Sequence, residues 1–460
     1  MKIKHEKLMK VMWLVLAILL TLQSVPSGAQ QPWTIDECMD YAIAHNTGIK
    51  QLKNEQRRRE IKAQASKDAR LPRLEGDVSG FMGTLRHSGS GNRFNANVSL
   101  MNMGLMGMVP LYTGSRLSSQ IKADKYSHLA AMEDVRAAER DLRIQVAATY
   151  LQLLYNKSEL SIVRQQQDVS QLLLKQAQSL YKRGKRPVSD VVEAEALVSR
   201  DEAMLAAAEG NVTLAMFDLR QLLNLPDSVR FDVCEPSDTI DTLSPLLELS
   251  SLASHPEVLS DKYNIQQAEQ QVKVARSCYY PSLMLVGEFG TFWGSFYAKA
   301  SHRGWLPLLA PWGSLGDFNY HFSNKLDLER KNFLHGVVGL RLSIPIFNAF
   351  ETKSQIRTAK MNLEDAKLAY DDTRKRISNE IRHAWQEAVT AFKQYEAEIK
   401  AENSSALAYR YAQKRYDAGM STLYDLNQSR QQWFTAAENA LRMKYEYLIR
   451  KRILDIQNQE

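Results

Sequence analysis

The chain has 460 residues, and its 44% hydrophobic and 24% charged residues are typical of a folded protein rather than a disordered one. With only 13 prolines and 21 glycines, the composition also argues against an all-β fold. The net charge is +7, and the four lysines and one glutamate of the first 29 residues leave +4 (7 minus 3) for the remainder. This charge is weak and evenly spread, so we expect no nucleic-acid partner.

Residues 1–29 have the three parts of a secretory signal peptide. Four lysines precede an apolar run from Val11 to Leu22, and Ser27-Gly28-Ala29 provides the small residues that a cleavage site requires. The run is too short to span a bilayer, which takes about 20 residues, and no later run is longer. We therefore expect a mature chain that begins near Gln30, without a transmembrane helix.

The first mature segment, residues 34–70, is predicted to be a helix that Pro72 ends. Thr34 and Glu37 have the spacing of a capping box at its start. Residues 74–81 and 94–100 then alternate between apolar and polar side chains, which predicts two strands. We expect a polar loop from Arg86 to Arg93 between the strands and an end of the strand pair at Pro110.

A very long helix is predicted from Gly114 to Arg183, because this stretch contains no proline and no internal glycine. At 1.5 Å per residue its length would be about 105 Å. Its second half has the alternating 4-3 spacing of a coiled-coil seam, with several polar positions. The twelve seam positions are Leu142, Val146, Thr149, Leu153, Asn156, Leu160, Val163, Gln167, Ser170, Leu174, Ala177 and Tyr181. A turn at Gly184 and a helix to about Leu225 follow.

The same order of elements recurs in the second half of the chain. A proline-rich connector, 226–256, precedes a helix over 257–278, strands over 283–289 and 338–346, a long helix over 351–418, a turn at Gly419 and a last helix to about Ile456. The second strand pair encloses a predicted loop over 291–332. From Pro110 to about Leu205 the pattern matches without a gap at an offset of 235 residues, which indicates a tandem repeat. The predicted domains are a signal peptide (1–29), a first repeat (30–225), the connector (226–256) and a second repeat (257–460).

The two turns share a spacing of tyrosine, glycine three residues on and aspartate six further on. The residues are Tyr181, Gly184 and Asp190 in the first turn, and Tyr416, Gly419 and Asp425 in the second. A tight turn favours a residue without Cβ, which is a sufficient structural reason for the glycines. Each aspartate lies in the first turns of a helix, where the helix dipole favours a negative charge.

The predicted strands carry apolar side chains on one face and polar ones on the other. The expected polar face consists of Glu75, Asp77, Asn95, Asn97, Glu288, Arg341 and Ser343. Aromatic residues cluster at both strand ends: Phe289, Phe292, Trp293, Phe296 and Tyr297 at the loop end, and Tyr112, Tyr279, Tyr280, Phe347 and Phe350 at the helix end. A wet interior with two aromatic girdles is typical of a membrane barrel, whereas ordinary core aromatics are the alternative. Four strands cannot close alone, but three copies of the chain would give twelve.

The doubled turn, the two proline-ended strands (Val109 to Tyr112 and Ile344 to Phe347) and the repeat together resemble the TolC-like outer-membrane efflux family, over residues 34–456. The resemblance implies a mixed fold, mostly α, in which a homotrimer forms a 12-stranded transmembrane β-barrel continued by a long α-helical coiled-coil tunnel. It implies a location in the cell outer membrane, in contact with its lipid, with the tunnel in the periplasm. A periplasmic adaptor and an inner-membrane transporter would dock on the tunnel end, so that the protein acts as the passive exit duct of a tripartite efflux pump or type I secretion system.

The resemblance also assigns roles to the turns. Gly184 and Gly419 would form the periplasmic tip on which the adaptor docks. Asp425 would line the entrance as a ring of three carboxylates, and Tyr416 and Asp190 match the pair that latches this end shut. The family's latching arginine corresponds to Ser421 and a second entrance aspartate to Gln428, whereas Arg186 provides an arginine at the equivalent place in the first repeat. The latch is therefore expected to be rewired or weaker.

The sequence contains no phosphate-binding glycine loop, no nucleophile elbow and no HExxH motif, and its histidines lack metal-ligand spacing. We therefore expect no enzyme activity, no cofactor and no metal site. The three cysteines, Cys38, Cys234 and Cys278, are too few and odd in number for a disulfide framework. The alternative function is that of a soluble periplasmic coiled-coil scaffold or adaptor.

Overall fold

The computed structural model describes residues 32–89, 92–226, 229, 231–235, 252–300, 326–327 and 333–458, and in these ranges it gives the side chains except for 85–89, 92–100, 292–300, 326–327, 333 and 458. The expected signal peptide lies outside the described residues, as does most of the connector. The protein is mostly helical, with one antiparallel sheet. In chain order the elements are α1 (Ile35–His45), α2 (Thr47–Asp68), β1 (Arg73–Gly89), β2 (Asn92–Tyr112), α3 (Arg116–Lys182), α4 (Val188–Leu223), α5 (Pro256–Ser277), β3 (Ser282–Ala300), β4 (Leu326–Asp327), β5 (Phe333–Ser343), α6 (Glu351–Asp417) and α7 (Leu423–Asn458).

The predicted capping box is present at the start of α1. The Thr34 amide donates to Glu37 Oε2 at 2.8 Å, and the Glu37 amide donates to Thr34 Oγ1 at 3.3 Å. The single helix predicted over 34–70 is wrong, since Asn46 divides it into α1 and α2. The Asn46 side chain accepts hydrogen bonds from the amides of Gly48 and Ile49, because a short amide side chain competes with the helical bonds and caps a new helix instead.

The two long helices have equal lengths and equivalent bounds. Helices α3 and α6 have 67 residues each, and both ends are 235 residues apart (351 minus 116, 417 minus 182). Helices α4 and α7 have 36 residues each at the same spacing (423 minus 188). The predicted bounds of the long helices are confirmed to within two residues. No helix among the described residues combines the length and apolar character that crossing a membrane requires.

The predicted seam of α3 is largely buried. Seven of its twelve positions are below 9% exposed: Leu142, Val146, Leu153, Asn156, Val163, Ser170 and Ala177. The last predicted seam residue, Tyr181, is 48% exposed, because it lies where α3 ends at the first turn. The sequence periodicity therefore identified the packed side of the helix up to its last turn.

The strands form one antiparallel sheet in the order β1, β2, β3 and β4, with β5 also paired to β3. They are longer than the alternation indicated. The predicted loop over 86–93 is wrong, since Gly89 pairs with Asn92, and the predicted loop over 291–332 is wrong in its first part, since β3 continues to Ala300. Pairing across a long ladder here overrides the weak strand propensity of glycine, serine and asparagine.

The register of the sheet brings the predicted polar residues to one face. Glu75 pairs with Met106, Met106 with Glu288, and Arg341 with Met284, which is four residues from Glu288. Because paired residues share a face and side chains alternate along a strand, Glu75, Asp77, Glu288, Arg341 and Ser343 lie together. The side chains of Asn95 and Asn97 lie outside the described set.

The opposite face of the sheet is apolar and exposed. Its large exposed side chains, with exposed fractions from 41% to 89%, include Leu74, Val78, Met82, Met101, Met103, Leu105, Phe289, Leu334, Val338, Leu340 and Leu342. The aromatic residues predicted at the helix end, Tyr112, Tyr279, Tyr280, Phe347 and Phe350, are also exposed. At the loop end, Phe289 is exposed, and the side chains of Phe292, Trp293, Phe296 and Tyr297 lie outside the described set.

The chain divides into two compact units. The first consists of Met1–Lys53, Asp134–Pro256 and Arg374–Glu460, and the second consists of Asn54–Glu133 and Glu257–Thr373. The second unit contains the sheet. The first unit contains both turns, and its core includes Tyr150, whose hydroxyl lies 2.8 Å from the Trp33 carbonyl and 2.6 Å from that of Cys234. Cys38, Cys234 and Cys278 are free thiols.

Candidate functional site

The two turns have the same backbone geometry, and each requires a glycine. Gly184 has a φ of +68° and Gly419 a φ of +76°, a region that side chains with a Cβ rarely adopt. In the first turn, the amides of Lys185 and Gly184 donate to the carbonyls of Leu180 at 3.0 Å and Tyr181 at 2.8 Å. This pair of bonds is the Schellman motif that ends a helix on a left-handed residue.

The second turn repeats both hydrogen bonds 235 residues further on. The Met420 amide donates to the Arg415 carbonyl at 2.8 Å, and the Gly419 amide donates to the Tyr416 carbonyl at 3.0 Å. The two turns therefore have the same conformation. In each turn, the carbonyl of the shared tyrosine accepts a hydrogen bond from the amide of the shared glycine.

Arg186 connects the two turns. Its guanidinium lies 4.7 Å from the centre of the Tyr416 ring, at the distance of a cation–π contact. Its Nη2 also donates to the carbonyl oxygens of Ser421, at 3.0 Å, and Tyr416, at 3.4 Å. Ser421, which takes the place of the expected arginine, thus accepts a bond from the arginine of the first turn through its backbone.

Tyr416 is 2% exposed and packs in a cluster between the ends of α3, α4, α6 and α7. Its buried neighbours are Leu173, Ala177, Ala194, Tyr409, Ala412, Leu423 and Leu426. Burial raises the pKa of Tyr416, with the Asp190 carboxylate acting in the same direction and the Arg186 guanidinium against it. The predicted residues Tyr416, Arg186 and Asp190 therefore lie close to one another.

No hydrogen bond joins Tyr416 to Asp190 in the part of the chain that the structure describes. The Tyr416 hydroxyl and Asp190 Oδ2 are both buried without a hydrogen-bond partner. The pair that the sequence singled out is assembled in space, but its two polar atoms are unsatisfied in a single chain. A buried polar atom without a partner is costly, so each atom is available to a further group.

Asp425 has a different environment from Asp190. Its Oδ2 accepts hydrogen bonds from the Thr422 amide at 3.1 Å and the Thr422 hydroxyl at 2.7 Å, and its own amide donates to Thr422 Oγ1 at 3.2 Å. This is a capping box at the start of α7. These bonds to Thr422 hold the pKa of the Asp425 carboxyl below its usual value.

The contrast between the two aspartates arises at the capping position. The residue equivalent to Thr422 in the first turn is Pro187 (422 minus 235), which makes no side-chain capping bond at the start of α4. Asp190 therefore lacks the hydroxyl and the amide that satisfy Asp425. The two aspartates are equivalent in the sequence motif, but only Asp425 caps its helix.

A buried ion pair near the turns was not predicted from the sequence. Arg430 Nη1 lies 2.9 Å from Asp201 Oδ2, and both side chains are 1% exposed. Gln166 Nε2 donates to Asp201 Oδ1 at 2.8 Å, so the network joins α3, α4 and α7. The three residues are far apart in the sequence, and none has a counterpart of its own type at the 235 offset. The similarity between the two halves of the sequence therefore could not indicate this ion pair.

Other predicted positions have simpler surroundings. Gln428, in place of the second entrance aspartate, is exposed on α7. Asp417 accepts a hydrogen bond from Gln176 Nε2 at 2.8 Å, which adds a polar contact between α3 and α6. Within the ranges that the structure describes, no three His, Cys, Asp or Glu side chains are grouped closely enough to hold a metal ion.

Comparisons with known proteins identify relatives over most of the chain. A family model described as outer membrane efflux protein matches residues 39–225 and 249–455. The alkaline protease secretion protein AprF of Pseudomonas aeruginosa is 22% identical over 70% of this chain and 62% of its own length. The outer membrane efflux protein BepC of Brucella suis is 24% identical over 61% of this chain and 55% of its own length. The chain thus covers less than two thirds of the length of these relatives.

A solved structure supports the fold independently. The crystal structure of the Campylobacter jejuni CmeC outer membrane channel is similar to this chain with a TM-score of 0.75 and 19% identity, over 92% of this chain and 85% of that one. At this level of identity the likeness concerns the fold.

Proposed function

Because the chain belongs to the outer membrane efflux protein family, we propose that it is the exit duct of a tripartite efflux pump or a type I secretion system. The family consists of outer-membrane channel proteins rather than enzymes. The duct would conduct substrates passively to the exterior from a periplasmic adaptor and an inner-membrane transporter. The secretion role of AprF and the efflux role of BepC, which their names state, support the two variants of this proposal.

The observation that carries the proposal is the apolar face of the sheet. Val338 and Leu74, which are 80% and 78% exposed, are among eleven large apolar side chains on this face that are exposed to solvent. Such an area on a single chain requires a partner, and lipid satisfies it if the strands are part of a membrane barrel with its polar face inside. We propose that three chains each contribute four strands to a 12-stranded barrel.

The paired helices support the remainder of the duct. The equal lengths and the 235-residue spacing of α3 with α6, and of α4 with α7, are those expected of a tandem repeat. In three copies, these four helices would provide twelve helical passes around a tunnel. At 1.5 Å per residue, a 67-residue helix is about 100 Å long, which is sufficient for a periplasmic tunnel.

We further propose that the two turns are the periplasmic end of this tunnel. Gly184 and Gly419 would form the tip on which the adaptor docks. Asp425 would contribute one carboxylate to a ring of three at the entrance. Asp190, Tyr416 and Arg186 would hold the entrance closed, and the unsatisfied Tyr416 hydroxyl and Asp190 Oδ2 are the atoms available for bonds that form in the trimer.

Membrane fractionation tests the function. We expect the protein in the outer-membrane fraction as a trimer that resists detergent until it is heated, because the barrel buries the apolar face of all three chains. A protein recovered as a soluble periplasmic monomer would instead support the scaffold alternative and contradict the duct.

A further inference from the structure

We propose that the first turn is a basic docking surface for an acidic helical segment of a partner protein, and that the second turn is not. The basic surface consists of Lys175, Lys182, Arg183 and Lys185. The proposal rests on the proposed function of the turns as the docking end of the duct, and it adds which turn a partner recognises and by what chemistry.

The two turns differ in charge although their backbones are alike. Residues 175–186 contain five cations and no carboxylate, which gives +5. The equivalent residues, 410–421, contain three cations and Asp417, which gives +2 (three minus one). The repeat has therefore kept the conformation of the turn while its two copies have different charges.

The four cations of the basic surface are exposed and free of carboxylate partners. Among the described residues, none of them lies within 4.0 Å of an Asp or Glu oxygen in an ion pair. The fifth cation, Arg186, is held on Tyr416 and Ser421. Of the nearby acids, Asp190 has a buried Oδ2 and Asp417 accepts the bond from Gln176.

The helix dipole accounts for only part of this charge. A cation in the last turn of a helix is favourable, and α3 has one there and α6 two. Lys175 precedes the last turn of α3, and Lys185 follows the end of the helix. The favourable end effect falls off within one turn, so it does not extend to Lys175.

The shape of the surface favours a partner helix. An open depression of about 360 Å³ on the side of α3 is lined by Lys175, Gln178, Ser179, Lys182 and Arg183. Their spacing of three, four, seven and eight residues places them along one side of α3. All five lining residues are polar or charged, whereas an interfacial membrane site also needs apolar side chains to insert. A helix with glutamates seven residues apart would meet Lys175 and Lys182 and favour association by charge complementarity.

Binding of defined peptides to the full-length protein in detergent tests the proposal. The probes are three synthetic helical hairpins that differ only at three exposed positions, which hold Glu, Gln or Lys. We expect the Glu hairpin to bind about tenfold or more tightly than the Gln hairpin, with a difference that falls as salt is added. Equal binding of the Glu and Gln hairpins would overturn the proposal.

A pair of charge-matched variants locates the binding. Lys182→Gln/Arg183→Gln/Lys185→Gln should lose the preference for Glu, whereas Arg410→Gln/Lys414→Gln/Arg415→Gln, with the same loss of three charges at the second turn, should keep it. A preference that persists in the first variant, or disappears in both, contradicts the proposal. A lipid site is tested by sedimenting the protein with vesicles that contain phosphatidylglycerol. If the protein sediments with these vesicles and the Glu hairpin releases it, the surface binds lipid, and this result would also overturn the proposal.

These outcomes separate the inference from the proposed function. A protein that forms trimers in the outer membrane but does not prefer the Glu hairpin would retain its role as a duct while the basic docking surface is rejected. A soluble monomer would reject the duct whatever its peptide preference.

Discussion

Pro187 and Thr422 determine how two aspartates of the same motif behave. Thr422 provides a hydroxyl and an amide that hydrogen-bond the Asp425 carboxylate, whereas Pro187 has neither. The Asp425 carboxylate is therefore held at the start of its helix, and Asp190 Oδ2 remains buried without a partner beside Tyr416. A single capping residue thus separates an aspartate with a structural role from one whose polar atom is unsatisfied.

The capping box of α7 should depend on pH. Since its bonds to Thr422 lower the pKa of Asp425 in the folded protein, their stabilisation is present above the unfolded pKa of about 3.9 and is lost as the pH falls through the lower folded value. Hydrogen exchange of the Thr422 amide, corrected for intrinsic rates, should show protection at neutral pH that weakens in acid, because its acceptor is the Asp425 carboxylate. Thr422→Ala should remove the protection of the Asp425 amide at neutral pH, because its acceptor is the Thr422 hydroxyl. Undiminished protection of the Asp425 amide in that variant would contradict the capping box.

The buried pair of Arg430 and Asp201 should be costly to break on one side. Asp201→Ala leaves an unpaired buried guanidinium, which we expect to lower the free energy of unfolding by about 3–5 kcal/mol. The exposed pair of Arg164 and Glu209, with N and O 3.2 Å apart, provides a matched control between α3 and α4. Glu209→Ala should cost less than about 1 kcal/mol, because solvent screens the pair.

Chemical denaturation followed by circular dichroism measures both variants. Similar losses for Asp201→Ala and Glu209→Ala would mean that the buried network does not stabilise the helical bundle. A double variant, Asp201→Leu/Arg430→Met, should recover most of the loss, since it leaves no unpaired charge.

At the scale of elements, the turns depend on glycine in a way that helix interiors do not. Ala at Gly184 or Gly419 would have to adopt a positive φ, which costs about 1–2 kcal/mol although space is available for a Cβ. Gly210 lies within α4, also with open space, so Gly210→Ala should stabilise the protein by about 0.5–1 kcal/mol. Denaturation should give opposite signs for Gly419→Ala and Gly210→Ala; the same sign would contradict the role of backbone strain.

The sequence predicted the elements unevenly, for identifiable reasons. The ends of α3 and α6 were predictable because glycine or proline bounds long stretches that contain neither, and the polar sheet face because its alternation continues through the paired strands. The division of the first helix at Asn46 was not predictable, since an asparagine side chain can either face solvent or cap a helix. The extension of β3 to Ala300 depends on pairing with β2, which a local pattern does not contain.

The candidate site was predicted only where the two turns share a sequence motif. The shared motif identified the turns, and resemblance identified Tyr416, Asp190 and Arg186, which the fold brings together. The contact of Arg186 with the Ser421 carbonyl could not be predicted, because it involves a backbone atom and two turns 235 residues apart. The network of Gln166, Asp201 and Arg430 was missed for a related reason, since it joins three helices and its residues have no counterparts of their own type at the 235 offset.

The proposed duct requires the assembled molecule to form an aqueous path. Three observations support the proposed channel: the exposed apolar face of the sheet, the paired long helices and the family membership. The turns are proposed as the narrow end of this channel. Three Asp425 carboxylates at this end would attract a multivalent cation, which would then obstruct the current.

Single-channel recording in a planar bilayer, with a trivalent cation added on the side of the turns, tests this claim most directly. We predict discrete current steps that the cation blocks, and about tenfold weaker block in Asp425→Asn, which removes the charge but keeps an acceptor for Thr422. Asp417→Asn, with the same charge change outside the proposed ring, should be blocked like the wild type. Absence of current steps, or equal block of Asp425→Asn and the wild type, would contradict the account.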